Sequence, residues 1–134
     1  MDLTALLEEV ASAARRAGAR IQLESPPGLT LNLRPDAARR AVTNLVDNAR
    51  RHARQVQMTV EPHPRSIQVV VDDDGPGIAV GRRESVFRPF ESGADGGTGL
   101  GLTIARDIVR AHGGDIVLGD SPLGGLRATM RLPV

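Results

Sequence analysis

Val69-Val70-Val71-Asp72-Asp73-Asp74-Gly75-Pro76-Gly77-Ile78 is an apolar strand that runs into three carboxylates and then a tight glycine turn. β-Branched residues suit a pleated strand, and Gly-Pro-Gly ends one sharply. Side chains alternate along a strand, so Ile67, Val69, Val71 and Asp73 share one face. Gln68, Val70, Asp72 and Asp74 share the other, more polar face. Asp73 therefore prolongs the apolar face as a carboxylate at the edge of the core, with Gly75 and Gly77 leaving room for a close approach. Such an arrangement would hold a flat hydrogen-bond donor, for instance the amino group of a purine, against an apolar floor. Asp72 and Asp74 read more simply as an acidic turn capping the strand. Nothing nearby adds the further ligands that a metal cluster needs.

Upstream of this stretch, Pro35-Asp36 opens a helix that reaches about Ala53. At about 100° per residue, Ala38, Val42, Leu45, Val46 and Ala49 form its buried stripe. Asn44, Asn48 and Arg51 lie beside that stripe, within roughly 60° of arc. Asn competes for backbone hydrogen bonds and is a poor helix-interior residue, so two of them bordering a core lower stability. They are either satisfied polar residues at a helix–sheet edge, or, with Arg51, the lining of a pocket for a hydrated cation and phosphates. Mg²⁺ keeps several waters, so one Asn oxygen suffices as a direct ligand.

Before that helix, Asp2 caps an amphipathic helix carrying Leu3, Leu6, Leu7, Val10 and Ala14, which Gly18 stops. Ile21 and Leu23 alternate as one strand, and Leu29, Leu31 and Leu33 as a second after the Pro26-Pro27-Gly28 turn. Val56–Val60 and Ile67–Val71 are joined by Pro62-His63-Pro64. After the glycine turn come a short helical turn near Glu84–Phe87 and the two phenylalanines of the chain, Phe87 and Phe90. The polar, Gly-rich stretch 91–97 then leads into Gly97-Thr98-Gly99-Leu100-Gly101-Leu102, which opens a helix with Ile104, Ala105, Ile108 and Val109 inward. Glycines at a helix start present N–H groups and a positive dipole end to an anion. The loop does not fit G-x-G-x-x-G, because residue 104 is Ile. A final hairpin, 115–119 and 126–132, has one apolar and one wet face. The sum is an α/β two-layer sandwich, a mixed sheet with about three helices packed on one face.

Composition removes several alternatives. At 134 residues the chain is one domain, able to bury about 68–70% of its unfolded surface. All 17 basic residues are Arg. Lysine-dependent phosphate sites, the Walker loop and the protein-kinase strand lysine, are thereby excluded. A formal charge of +1 with scattered Arg, and aromatics at only 1%, argue against a nucleic-acid groove. Zero Cys excludes disulfides, thiolate metal sites and Cys nucleophiles. No apolar run approaches the ~20 residues of a membrane span.

Three motifs stand in fixed order: Asn44-Leu45-Val46-Asp47-Asn48-Ala49, Asp73-Asp74-Gly75-Pro76-Gly77-Ile78 and Gly97-Thr98-Gly99-Leu100-Gly101-Leu102, with Phe87–Phe90 between the last two. Together they resemble the ATP-binding catalytic domain of bacterial sensor histidine kinases, of the osmosensor (EnvZ-like) type. That family shares the Bergerat (GHKL) fold with gyrase, Hsp90 and MutL, and the likeness covers nearly all of residues 1–134. The resemblance implies that Asp73 binds the adenine amino group, that Gly75, Gly77 and Ile78 admit the base, and that Asn48 ligates Mg²⁺ with Asn44 in support. It places Arg51 where the family usually has a phosphate-contacting Lys or Arg, His52 at a nucleotide-site position that is often aromatic or polar, Phe90 also in the nucleotide site, and Gly97, Thr98, Gly99, Leu100, Gly101 and Leu102 in a lid over the triphosphate of ATP (or ADP). Asn44, Asn48 and Arg51 would carry catalysis, the positioning of a γ-phosphoryl group for a histidine nitrogen.

Two departures from the family pattern are visible. Glu91-Ser92 follow Phe90, where members often carry a basic residue, and the lid is short; Arg88 is the nearby substitute. His52, His63 and His112 lack the acidic neighbour of a phosphoacceptor histidine, and His112 reads as a helix-end residue. The phosphoacceptor hairpin is therefore expected outside this chain, on a dimerisation domain of the same kinase, with a response regulator reached indirectly. The domain is expected to be monomeric, cytoplasmic and part of a membrane-bound sensor, and unable to phosphorylate itself alone. Two further readings use the same fold: an anti-sigma-type serine kinase or binding module, and a gyrase- or Hsp90-like ATPase in which Asp47 would act on water.

Overall fold

The computed structural model describes residues 1–88 and 101–134. Helix α1 (Leu3–Arg16) leads to strand β1 (Arg20–Glu24), helix α2 (Pro35–His52) and the hairpin β2 (Gln55–His63) and β3 (Ser66–Asp73). Two short 3-10 turns, Val80–Arg82 and Ser85–Phe87, precede helix α3 (Gly101–Ala111) and the hairpin β4 (Asp115–Asp120) and β5 (Leu126–Pro133). The strands order β1-β2-β3-β5-β4; β1 runs parallel to β2 and every other pair is antiparallel.

Register explains the single core. Leu23, Met58, Val71, Ala128 and Leu118 form one row across the sheet, and Val60, Val69, Met130 and Ile116 the next. Both rows belong to one apolar cluster with the inward residues of all three helices. The opposite face carries Val117, Thr129, Val70 and Thr59 in register, and Val117 is 63% exposed. Met58, with no exposed surface, sits at the centre of the cluster; truncation to Ala there would cost about 2–5 kcal/mol.

Local signals behave as expected over most of the chain. The Asp2 carboxylate accepts the Ala5 N–H and starts α1, and Gly18 closes it at φ +97°. All five residues of the α2 stripe are buried, joined by Ala41. His112 ends α3, its Nε2 accepting the Arg34 N–H (3.3 Å) at the start of α2.

Two expectations need correcting. Leu29, Leu31 and Leu33 form no strand of the sheet; the segment makes one isolated bridge, Asp2 to Thr30. Its backbone partners are Met1 and Leu3, and α1 begins at Leu3, so there is no length of extended chain to pair with. In α3 the buried residues are Leu102, Ala105 and Val109, whereas Ile104 is only half-buried. At about 100° per residue Ile104 points well away from that stripe.

Candidate functional site

Three consecutive carboxylates end β3, and each has a different fate. Asp72, 4% exposed, receives a two-pronged bond from Arg127: Nε to Oδ1 at 2.8 Å and Nη2 to Oδ2 at 3.0 Å. Asp72 and Arg127 are direct cross-strand partners, so the expected polar-face carboxylate is itself buried and paired with a guanidinium that remains 40% exposed. Its hydrogen bond raises the Arg127 pKa further, keeping the guanidinium charged. Asp74 Oδ1 accepts the N–H groups of Arg54 (2.8 Å) and Gln55 (3.0 Å). The Gln55 bond, with Arg54 adding to it, lowers the Asp74 pKa. Asp74 thus stitches the end of β3 to the chain leaving α2. These divergent bonds explain why the three do not share one metal site.

Asp73 lies in the inward row, paired with Val56, which pairs in turn with Ile21. It is 4% exposed. Its Oδ1 accepts two backbone N–H groups, from Gly75 (2.9 Å) and from Leu126 (3.0 Å), the latter 53 residues away in sequence. Among the described residues it forms no ion pair, and neither of these bonds engages Oδ2. The carboxylate is therefore oriented by fixed dipoles while one oxygen stays available for a ligand donor.

Glycines make this possible by close approach. A Cβ on Gly75 would stand 2.7 Å from the His52 carbonyl oxygen. One on Gly125 would stand 2.2 Å from Asp73 Oδ1 and 2.6 Å from both the Asp73 carbonyl oxygen and the Gly75 nitrogen. Gly77 adopts φ +72° and faces Gly125 across the turn. Ile78 packs at the border of the apolar cluster.

The contact between Gly75 and His52 brings the end of α2 against the Asp73 turn. Asn48 lies one helical turn before His52, and Asn44 one turn before that. Both asparagines are half-buried. Neither side chain is hydrogen-bonded to another of the described residues, and both are partly open to solvent. Arg51 and His52 are exposed at the helix end. Asp47 is half-exposed and pairs with Arg50 at 3.7 Å.

Gly101 starts α3, and among the described residues nothing stands within 4 Å of a Cβ added there, whereas the Leu102 side chain is buried in the core. Phe90, Gly97, Thr98, Gly99 and Leu100 lie outside the described residues, as do Glu91 and Ser92. Arg88 is exposed. The sequence reading missed Gly125 and Leu126, which complete the Asp73 cradle, because they lie in and just after the connection of the final hairpin, far from Asp73 in the chain. Among the described residues no helix is long and apolar enough to cross a membrane.

Comparison with known proteins gives the family and agrees with the fold. Residues 33–134 match the family described as histidine kinase-, DNA gyrase B-, and HSP90-like ATPase. The sensor histidine kinase GtrS of Pseudomonas aeruginosa is 37% identical over 135 residues, covering 99% of this chain and 28% of the relative. The sensor histidine kinase CpxA of Escherichia coli is 36% identical over 137 residues, covering 96% of this chain and 30% of the relative. The chain thus spans under a third of these relatives. Among solved structures, the ATP-binding domain of PrrB from Mycobacterium tuberculosis superposes with a TM-score of 0.85 at 34% identity, covering 99% of this chain and 94% of that one. The histidine kinase domain of the Escherichia coli osmosensor EnvZ gives 0.78 at 38% identity, covering 100% and 87%.

Proposed function

This chain belongs to the histidine kinase-, DNA gyrase B-, and HSP90-like ATPase family, and from that premise we propose that residues 1–134 bind an adenine nucleotide with Mg²⁺ and deliver its γ-phosphoryl group to a histidine. That histidine stands on a dimerisation domain of the same kinase, and a response regulator receives the group afterwards. The domain works as a cytoplasmic, monomeric catalytic unit of a sensor anchored elsewhere.

The observation that carries this reading is the Asp73 carboxylate. It lies in an apolar row of the sheet, is oriented by the N–H groups of Gly75 and Leu126, and pairs with no cation among the described residues. A carboxylate held this way accepts an exocyclic amine and repels a carbonyl, so adenine is favoured over guanine. Gly75 and Gly125 let the end of α2 and the Asp73 turn pack closely around this carboxylate, because a methyl group at either position would collide with them. The uncommitted amides of Asn44 and Asn48 suit a hard cation, with Asn48 as direct ligand and Asn44 in support. Mg²⁺ bound there would neutralise phosphate charge. Arg51, His52 and the start of α3 at Gly101 and Leu102 would face the phosphates, the latter through backbone N–H groups. The chain's part in phosphoryl transfer is positioning and charge stabilisation.

Calorimetric titration with ATP, ADP and GTP, with and without Mg²⁺, tests the binding claim. Adenine nucleotides should bind, GTP should not, and Mg²⁺ should strengthen ATP more than ADP. Equal binding of ATP and GTP would overturn it. Transfer of labelled phosphate from ATP to a histidine hairpin, and not to a serine-bearing antagonist, separates the kinase from the anti-sigma-type switch. Asp47 is tied to Arg50 and half-exposed, which disfavours it as a base for water. Hydrolysis by the isolated domain that disappears in Asp47→Asn would favour the gyrase-like ATPase instead.

A further inference from the structure

Arg106 gathers groups from two other stretches of chain. Its Nη1 donates to Glu84 Oε1 at 2.7 Å and its Nε to Asp115 Oδ1 at 3.0 Å. Its guanidinium lies 4.2 Å from the centroid of the Phe87 ring. The side chain is 12% exposed. One turn earlier on α3, the Thr103 hydroxyl donates to the Phe87 carbonyl oxygen. Burial alone would lower the Arg106 pKa, yet the Asp115 and Glu84 bonds outweigh it and the net direction is upward, so the group stays charged. A planar guanidinium can stack on a ring while two of its edges donate, which an ammonium cannot do.

These contacts fix α3 against the Glu84–Phe87 turn on one side and the start of β4 on the other. Gly101, the first residue of α3, stands five positions before Arg106. The orientation of that helix end relative to Asp73 and Asn48 therefore depends on the clamp. We propose that Arg106 is a positioning residue for phosphate recognition, holding α3 in register with the Phe87 turn and β4 without itself touching the nucleotide. This rests on the nucleotide-binding reading above. A direct phosphate contact is disfavoured because two carboxylates and a ring already occupy the guanidinium.

The test compares adenosine, ADP and Mg²⁺-ATP affinities by calorimetry, together with the melting temperature, in Arg106→Gln, Arg106→Lys and Glu84→Gln. Adenosine reports the Asp73 pocket and the phosphates report α3. Arg106→Gln should weaken Mg²⁺-ATP about tenfold while leaving adenosine within about twofold. Glu84→Gln should move ATP in the same direction by about threefold, and Arg106→Lys should recover part of the loss. Glu84 is 78% exposed, so that variant folds and carries the test even if Arg106→Gln does not. Equal losses for adenosine and ATP would mean a purely structural role and would overturn the proposal, as would no change. Tighter ATP binding in Glu84→Gln would mean that Arg106 reaches the phosphates itself, which also overturns it. If the wild type binds none of the three ligands, the nucleotide reading itself fails. If it binds them and Arg106→Gln changes nothing, only the clamp fails.

Discussion

Asp73 and Asp115 are carboxylates at the ends of strands in the same sheet, and they are held by opposite means. Asp115 opens β4, where its Oδ1 meets Arg106 Nε (3.0 Å), Arg110 Nε (3.1 Å) and the Ile116 N–H (2.8 Å). Partial burial would raise its pKa, but the Arg106 and Arg110 hydrogen bonds outweigh that and hold it at about 2. Asp73 closes β3 deeper in the protein, at 4% exposure, and is steadied through Oδ1 by backbone N–H groups. A carboxylate answered by two guanidiniums is satisfied and structural. One answered by fixed dipoles on a single oxygen keeps acceptor capacity for something outside the chain. The difference separates a carboxylate satisfied by cations from one held by backbone dipoles more cleanly than burial does.

The sharpest way to break the contrast is at Gly125. A Cβ there meets Asp73 Oδ1, the Asp73 carbonyl and the Gly75 nitrogen at 2.2–2.6 Å, and two of those atoms are backbone. Gly125→Ala should therefore cost about 3 kcal/mol or more of stability and abolish nucleotide binding, read by denaturant melts and calorimetry. Native stability in that variant would mean the cradle is far softer than its geometry.

Next comes Asp73→Asn, which keeps Oδ1 as an acceptor for Gly75 and Leu126 but puts an N–H₂ where Oδ2 stood. The Asn N–H₂ would then face the adenine amine, donor against donor. Affinity should fall by about 10–100-fold, with stability changed by about 1 kcal/mol or less. A large drop in melting temperature instead would place Asp73 with Asp115 as a structural group.

Asp115 should show its role through pH. Its folded pKa, about 2, lies below the ordinary 3.8. The stability it contributes is therefore fully present above about pH 4 and is lost as pH falls toward about 2. With the side chain 35% exposed, screening leaves about 1 kcal/mol of effect. Asp115→Asn should flatten the acid limb of a pH series of urea melts, leaving the smaller contribution of Asp74, whose pKa is also lowered. An unchanged acid limb would mean the ion pairs contribute nothing.

The smallest effect belongs to Arg39→Gln. This residue pairs with Glu9 at 2.7 Å, but both side chains are about half-exposed, at 49% and 62%. Loss of the pair should cost about 0–1 kcal/mol and leave nucleotide affinity untouched. A greater cost would show that surface pairs here are worth more than their exposure suggests.

The sequence by itself determined the helices and most strands, and it singled out Asp73 at the end of β3. Those signals are local: a 3.6-residue apolar stripe from Ala38 to Ala49, alternation from Leu126 to Leu132, and Asp73 continuing the apolar face of β3. Alternation misled at Leu29–Leu33, because a strand also needs a partner of sufficient length, and periodicity cannot supply one. Only the tertiary structure decided how Asp73 is held, since Leu126 donates to it from 53 residues away and Gly125 must lack a side chain to let it. It likewise decided that Asp72 belongs to Arg127, and that Glu84, Phe87 and Asp115 converge on Arg106. Composition and spacing report what each residue can do, whereas the choice of partner depends on sheet order, which brings β5 between β3 and β4.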